Sequence, residues 1–333
     1  MYDVRVKIDL AKPVGNIGFG VPLILVENAT KAVEYTECAN LDDVKTAGIT
    51  ADSKAYKAAQ LLFAQAKAPK TIAVYATTSP ATTALSDKVL VDKGWRQLIV
   101  VCESDDGSAP TAIIPLVEAM DGKLYFASLD VDDETEITVT GLRRTVLFYC
   151  NATEDAPVPV AALVGETAGR PAGSFTYKRK LTGLKAQELT KTQLDAIHAK
   201  GGITYVQKAG DSVVSEGKVA GGEYIDVIDS EDYIVQQLAY KTQKVLNNAD
   251  KVPYDNNGIA MLESVAVDVL QAAFNNGMIA TNADGTPAYS VSYAKREDTT
   301  ESDRAARRYL GGSFKFTLAN AVHEVEITGE ITV

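Results

Sequence analysis

Thr71-Ile72-Ala73-Val74-Tyr75 and Arg96-Gln97-Leu98-Ile99-Val100-Val101-Cys102 are two short apolar runs, and between them residues 80–91 carry a helical pattern. Runs of this length suit strands buried on both faces, and a helix joining two strands brings the second back parallel to the first. The alternation extends outward in both directions. Upstream, the apolar run 17–26 is expected as a buried strand, and Ala55, Ala58, Ala59, Leu62, Phe63 and Ala66 repeat at helical spacing within 51–66, before Pro69. Downstream come a helix over 111–119, strands over 123–129 and 144–150, and an apolar helix over 157–166 closed by Gly169 and Pro171. Strands alternating with helices predict an α/β domain, three-layered around a mostly parallel sheet.

Residues 169–184, rich in Gly, Pro and basic side chains, read as a connection between domains, and the pattern changes beyond them. A helix is expected over 190–200, a strand over 203–208, a polar hairpin-like stretch over 211–222, and a strand over 223–228 feeding a longer helix. Asp229 or Ser230 would cap that helix, Glu231 and Asp232 suit its first turn, and Ile234, Leu238 and Val245 mark its stripe. The clearest helical stripe is Ile259, Leu262, Val265, Ala266, Val269, Leu270, Ala273 and Phe274, stopped by Asn275-Asn276-Gly277. The fold class is therefore α/β in the first part and α+β overall.

Both ends of the chain alternate with period two. Tyr2, Val4, Val6, Ile8 and Leu10 oppose Asp3, Arg5, Lys7 and Asp9. Val325, Ile327, Ile331 and Val333 oppose Glu324, Glu326, Thr328, Glu330 and Thr332, with Gly329 suited to a bulge. Such strands either pair inside their own domain or add to the sheets of neighbouring subunits.

The 333 residues contain 44 Asp and Glu against 33 Lys and Arg, a formal charge of -11, with 46% hydrophobic content. At roughly 150 residues per domain this is about two domains, large enough to need no metal or disulfide staple. A carboxylate excess repels a phosphate backbone, so no nucleic-acid partner is expected. Apolar runs such as 98–102 fall far short of the roughly 20 residues that cross a bilayer, so no membrane insertion is expected. The first residues alternate charged and apolar side chains without a signal-peptide core, so synthesis inside the cell is expected.

Few residues invite chemistry. Cys38, Cys102 and Cys150 match neither a disulfide framework nor a Cys-x-x-Cys metal knuckle, and the latter two end apolar runs and read as core. His198 sits at a helix end, where a basic group suits the macrodipole, and His323 lies in the last strand-like segment. Neither has a recognisable nucleophile setting, so no triad, no His-ligated metal and no cofactor is expected. Gly15-Asn16-Ile17-Gly18-Phe19-Gly20 leads into a strand instead of a helix and lacks the dinucleotide-loop spacing. Glu103, Asp105 and Asp106 follow the strand ending at Cys102, where an α/β enzyme would hold Mg²⁺; the competing reading is a solvated turn. Residues 130–136 read as a charged loop without the full Ca²⁺-loop pattern. Arg304, Arg307 and Arg308 form the one local basic cluster, either a salt-bridged surface or a docking patch for an acidic partner.

Gly217-Lys218-Val219-Ala220-Gly221-Gly222-Glu223-Tyr224-Ile225-Asp226-Val227-Ile228 with Asp232 and its helix, Lys251-Val252-Pro253-Tyr254-Asp255-Asn256-Asn257-Gly258, and the ending 304–316 and 321–327 carry a resemblance. Over roughly 185–333 the chain resembles the tail sheath proteins of contractile phage tails and of phage-tail-like bacteriocins. The first half is similar only in its alternating plan. The resemblance implies an N-terminal arm strand over 1–16, a variable outer α/β domain over 17–184, a C-terminal α+β sheath domain over 185–321 and a C-terminal arm strand over 322–333.

It further implies a structural, non-catalytic subunit of a virion or prophage-derived particle tail. Such subunits polymerise as stacked hexameric rings around an inner tube and contract to drive it through a target envelope. The implied partners are further copies of the chain, the inner tail tube protein, the baseplate and the tail terminator. Carried onto this sequence, Val4, Val6, Ile8, Val325, Ile327, Ile331 and Val333 become strand-exchange residues, and Arg304, Arg307 and Arg308 contacts to the tube or a neighbour. The alternatives are a Mg²⁺-dependent α/β enzyme built on Glu103, Asp105 and Asp106, and a non-contractile tail or capsid component.

Overall fold

A computed structural model describes residues 20–104 and 107–323. Within them the chain forms β1 (Val21–Glu27), β2 (Val33–Cys38), α1 (Leu41–Thr46), α2 (Lys54–Phe63), β3 (Ile72–Ala76), α3 (Ala81–Ser86), α4 (Lys88–Val91), β4 (Trp95–Cys102), α5 (Pro110–Glu118), β5 (Leu124–Leu129), β6 (Thr145–Tyr149), α6 (Val160–Ala168), α7 (Lys191–Ala199), β7 (Gly202–Lys208) and β8 (Asp211–Val214). There follow α8 (Ile225–Asn248), α9 (Asn256–Asn275), β9 (Tyr289–Tyr293), α10 (Glu301–Ala305) and β10 (Gly312–Phe316).

The first eight strands make one sheet in the order β2-β3-β1-β4-β5-β6-β7-β8. The six inner strands are parallel, and β2 and β8 pair antiparallel at the two edges. Alternation along each strand assigns side chains to two cores. Ile24, Val26, Ile72, Val74 and Ile99 pack with α2 and α6, whereas Leu23, Leu25, Ala73 and Leu98 pack with α3 and α5. A sheet covered on both faces needs apolar residues at every position, which is why the strands read as continuous apolar runs. Helices α2 and α6 touch through Gly165, where a Cβ would lie 2.5 Å from the Leu62 carbonyl oxygen, so only glycine permits the approach.

The described residues divide into two compact units, one holding 20–171 and 175–232, the other 172–174 and 233–323. The boundary expected at 184/185 therefore differs from the observed division. Strand β7 continues the parallel sheet from β6, with Leu147 opposite Gly202, and β8 folds back on β7, so residues beyond 184 belong to the α/β body. In the second unit α9 packs against a two-stranded antiparallel sheet of β9 and β10.

Local corrections have physical reasons. The strand expected over 223–228 is instead the first turn of α8: Ile225, Ile228 and Asp229 are all buried, a helical spacing. Asp229 and Ser230 thus lie inside the helix and do not cap it. The helix expected over 80–91 breaks at Asp87, whose extended backbone ends α3. Thr190 caps α7 through a reciprocal capping box with Gln193, as the helix expected over 190–200 requires. Strand β2, helices α1 and α10, and strands β9 and β10 were outside the sequence reading. The end segments, with Val4, Val6, Ile8, Val325, Ile327, Ile331 and Val333, lie outside the described residues.

Candidate assembly surfaces

The β9–β10 sheet is amphipathic by the strand period. Tyr289, Val291 and Tyr293 of β9 and Phe314 and Phe316 of β10 are half-buried, whereas Ser290, Ser292, Ser313 and Lys315 are exposed. The register pairs Val291 with Phe314 and Tyr289 with Phe316, and the two phenylalanine rings stack with centroids 6.1 Å apart. The Tyr289 hydroxyl donates to Gln271 Oε1 on α9 at 3.0 Å. Among the described residues no third strand pairs with β9 or β10. A two-stranded ribbon is marginal by itself, and its unpaired amides and carbonyls offer a template for further strands. Tyr289-Ser290-Val291-Ser292-Tyr293 carries the period-two signal that could have located it.

The arginine cluster separates into three environments. Arg304 is half-buried and turns inward, its Nη1 donating to the Thr299 carbonyl and, at 3.3 Å, to the Arg296 carbonyl, which ties the α10 turn together. Arg308 pairs with Asp303 at 3.0 Å. Arg307 is exposed, has a left-handed backbone with φ 54°, and finds no side-chain partner among the described residues. It stands on the rim of a recess of about 390 Å³ lined by Val252, Ile259, Leu262, Tyr293, Tyr309 and Leu310 with their neighbours. Tyr293 and Tyr309 stack at 5.8 Å, and Tyr254 meets Tyr309 edge-on at 6.1 Å. Burial raises the Tyr309 phenol to about 12, so it stays a neutral donor, bonded to the Ala294 carbonyl at 2.8 Å.

At the carboxyl edge of the large sheet, carboxylates serve the fold. Glu103 accepts from the backbone N–H groups of Lys54 and Ala55 at 2.8 and 3.1 Å, satisfying free donors at the start of α2. Glu27, 1% exposed at the end of β1, accepts from the Ala81 amide at 2.7 Å, from the Ser108 amide at 2.6 Å and from the Ser108 hydroxyl. Asp105 and Asp106 lie outside the described residues. Among the described residues no three His, Cys, Asp or Glu side chains gather as a metal site.

His198 Nε2 lies 2.9 Å from Ser215 Oγ, a pairing invisible in the sequence, yet Ser215 is fully buried and its oxygen accepts from the Thr204 amide. A nucleophile must meet its substrate, and this one is sealed in the core. Burial, and then Asp43 and Asp130, push the Cys38 and Cys150 thiols up to about 11 and about 12, which leaves them unreactive near neutrality.

The most charged interior feature was likewise hidden in the sequence. Arg96, 1% exposed on β4, donates to Asp229 and, at 2.9 Å each, to Asp232 Oδ2 and the Gly122 carbonyl. Arg144 donates to both Asp232 oxygens, and the Tyr177 hydroxyl donates to Asp229 Oδ2 at 2.7 Å. Both carboxylates belong to α8, so the network fastens its first two turns to the strands of the α/β body. Two arginines and two aspartates neutralise one another, the condition for burying them.

A parallel α/β body and a helical unit with a two-stranded ribbon make a fold shared with solved contractile-sheath structures. The helical sheath of the anti-feeding prophage in its contracted state superposes with a TM-score of 0.71 at 17% identity, covering 99% of this chain and 98% of that chain. The sheath complex of an extracellular contractile injection system, PVC, in its contracted state gives 0.68 at 14%, covering 100% and 96%. The sheath tail protein Lin1278 from Listeria innocua gives 0.56 at 13%, covering 91% and 96%.

Residues 225–331 match the family described as E217 tail sheath protein gp31-like, C-terminal domain. The resemblance read from the second half of the sequence therefore holds, and the similar structures are structural sheath proteins, not enzymes. No curated protein matches the chain.

Proposed function

We propose that this chain is the structural subunit of a contractile tail sheath, polymerising as stacked hexameric rings around an inner tube and contracting to drive that tube through a target envelope. The observation that carries the reading is the open β9–β10 ribbon, in the region matched to tail sheath C-terminal domains. In this reading residues 1–16 and 322–333 are arms that add strands to ribbons of neighbouring subunits. The exposed Ser290, Ser292, Ser313 and Lys315 then form a polar face onto which the polar residues of an added strand align, with its apolar residues on the α9 side. Backbone pairing of this kind persists while subunit bodies rotate, so linkage and motion coexist.

The carboxylates that cap helices support a body whose contacts, not reactions, are its output. The further partners are the tube protein, the baseplate and the tail terminator, and the location is the tail of a virion or phage-tail-like particle, after synthesis in the host cytoplasm. Electron microscopy of particles assembled with the cognate tube protein tests this. Two sheath lengths, long before triggering and short after, are expected; polymers of a single length under every trigger would leave the non-contractile alternative standing.

A further inference from the structure

Two stretches of the α/β body concentrate positive charge in an acidic chain. Residues 53–86 and 167–187 contain no Asp or Glu, although the whole chain has a formal charge of -11. The two stretches pack side by side. Gln65 exchanges hydrogen bonds with the Thr182 amide and carbonyl, both at 2.8 Å, and a Cβ on Gly169 would lie 2.3 Å from the Lys67 carbonyl oxygen. Lys67 and Lys70 stand exposed between α2 and β3, and Arg170 follows α6, which places this basic face at the amino ends of the parallel strands.

Arg179 is the strongest point of that face. The Cζ atoms of Arg170 and Arg179 lie 5.7 and 5.9 Å from the centroid of the buried Phe175 ring. Arg170 is paired with Glu166, and Lys178 and Lys180 with Glu216 and Asp211 at 3.4 and 2.6 Å. Arg179 uses its Nε on the Thr176 carbonyl at 2.8 Å, and its terminal nitrogens have no hydrogen-bond partner among the described residues. Burial, and then the neighbouring Arg170, disfavour its charged form, so an arriving carboxylate relieves a cost already present in the fold. A half-buried arginine with open donors beside an aromatic ring is a residue type that anchors interfaces.

The complement lies in the same body, past the carboxyl end of β5. Side chains over 131–139 alternate between half-buried and exposed, with Val131, Ile137 and Val139 packed on the core. That alternation turns Asp132, Glu134 and Glu136 outward, and none of the three has an ion-pair or hydrogen-bond partner among the described residues. Glu134 and Glu136 stand about 7 Å apart if the chain is extended between them, a firm acidic ridge. Ridge and basic face do not meet within one copy. The six residues of β5 alone span about 20 Å, and the face sits on the α2 and α6 side of the sheet while the ridge packs on the opposite core. Contact of like faces between copies would set like charges together, so only a head-to-tail approach matches the two signs.

We infer that the acidic ridge at 132–136 of one copy docks on Lys67, Lys70 and Arg179 of a second copy, with a ridge carboxylate on the Arg179 guanidinium. The inference rests on the polymer reading above and adds to it a contact between α/β bodies that uses neither end of the chain. Because the two surfaces differ, the contact is heterologous, the kind that propagates rings and filaments.

The test applies a carbodiimide, which joins a lysine amine to a carboxylate touching it, to particles assembled with the cognate tube protein from equal parts of isotopically light and heavy full-length chain. Mixed light–heavy links from Lys67 or Lys70 to Asp132, Glu134 or Glu136 are expected. Particles whose Lys67 and Lys70 link only within one copy, to the tube protein, to another region or not at all overturn the docking and leave the polymer reading intact; unsubstituted chain that forms no particles overturns both. A charge exchange gives the second arm. Lys67→Glu with Lys70→Glu, both at exposed positions, is expected to keep the circular dichroism spectrum and to raise the concentration needed for assembly about tenfold. Adding Glu134→Lys and Glu136→Lys is expected to bring that concentration back. Assembly of the double lysine variant at the unsubstituted chain's concentration, or no recovery on the exchange, overturns the docking.

Discussion

Asp232 is the residue on which the buried charge network turns. Burial alone would raise its carboxyl, but Arg96 first and then Arg144 outweigh that and hold it below the ordinary 3.8. Because the folded value is the lower one, the stabilisation is complete above about pH 4 and is lost as the pH falls through the folded value. Asp232→Asn is expected to lower unfolding free energy at neutral pH by about 3–5 kcal/mol, since it leaves Arg96 buried with one carboxylate fewer. It should also flatten the acid limb of stability; urea titrations from about pH 7 to pH 3 would read both, and an unchanged acid limb removes the assignment to this carboxylate. Glu27 acts by hydrogen bonding at the other edge of the sheet. Glu27→Ala strands the Ala81 and Ser108 amides and is expected to cost about 3 kcal/mol by the same titration.

At the scale of elements, α9 packs against the β9–β10 sheet of the second unit, and its first turn is held by Asp255, whose carboxylate accepts from the Asn257 and Gly258 amides at 3.0 and 2.9 Å. Gly258 lets the preceding loop pass close to the helix: a Cβ there would stand 1.9 Å from the Pro253 carbonyl oxygen. Gly258→Ala must push that loop away and is expected to destabilise by about 1–3 kcal/mol in denaturant titration, despite alanine's better helix propensity. The periodic stripe of α9 was plain in the sequence, as were the strands β3 to β6. The start of α8 was not, because Ile225, Val227 and Ile228 satisfy short strand and helix patterns alike, and only the Arg96 network fixes the choice. Strands β9 and β10 are short and alternate with serine and lysine, so the period of Tyr289, Val291 and Tyr293 is their one legible mark.

For the whole molecule, the polymer reading assigns to the terminal segments the links between copies. Deleting 1–10 or 324–333 is expected to abolish ordered tubes in electron micrographs while leaving the α/β body folded by circular dichroism; intact tubes from both truncations would remove strand exchange. The same body tests the enzyme alternative. Glu103 is engaged in capping α2, so Mg²⁺ is expected to leave the melting temperature unchanged, whereas a site occupied at a hundred times its Kd would add about 2.7 kcal/mol.

Hydrophobic periodicity by itself determined the α/β class, most inner strands and the long helical stripe of α9, because burial on one face or two writes its period directly into the chain. The family resemblance was legible in the second half for a related reason: Pro253 and Asp255 before α9 and Gly258 in its first turn each meet a local backbone demand. The tertiary structure alone decided the edge strands, the unit boundary at 232/233, the pairing of Arg96 with Asp229 and Asp232, and the sorting of Arg304, Arg307 and Arg308 into one turned inward, one without a side-chain partner among the described residues and one paired with Asp303. Those outcomes depend on residues far apart in the chain meeting at a few ångströms, and no local period encodes which distant carboxylate a given arginine will find.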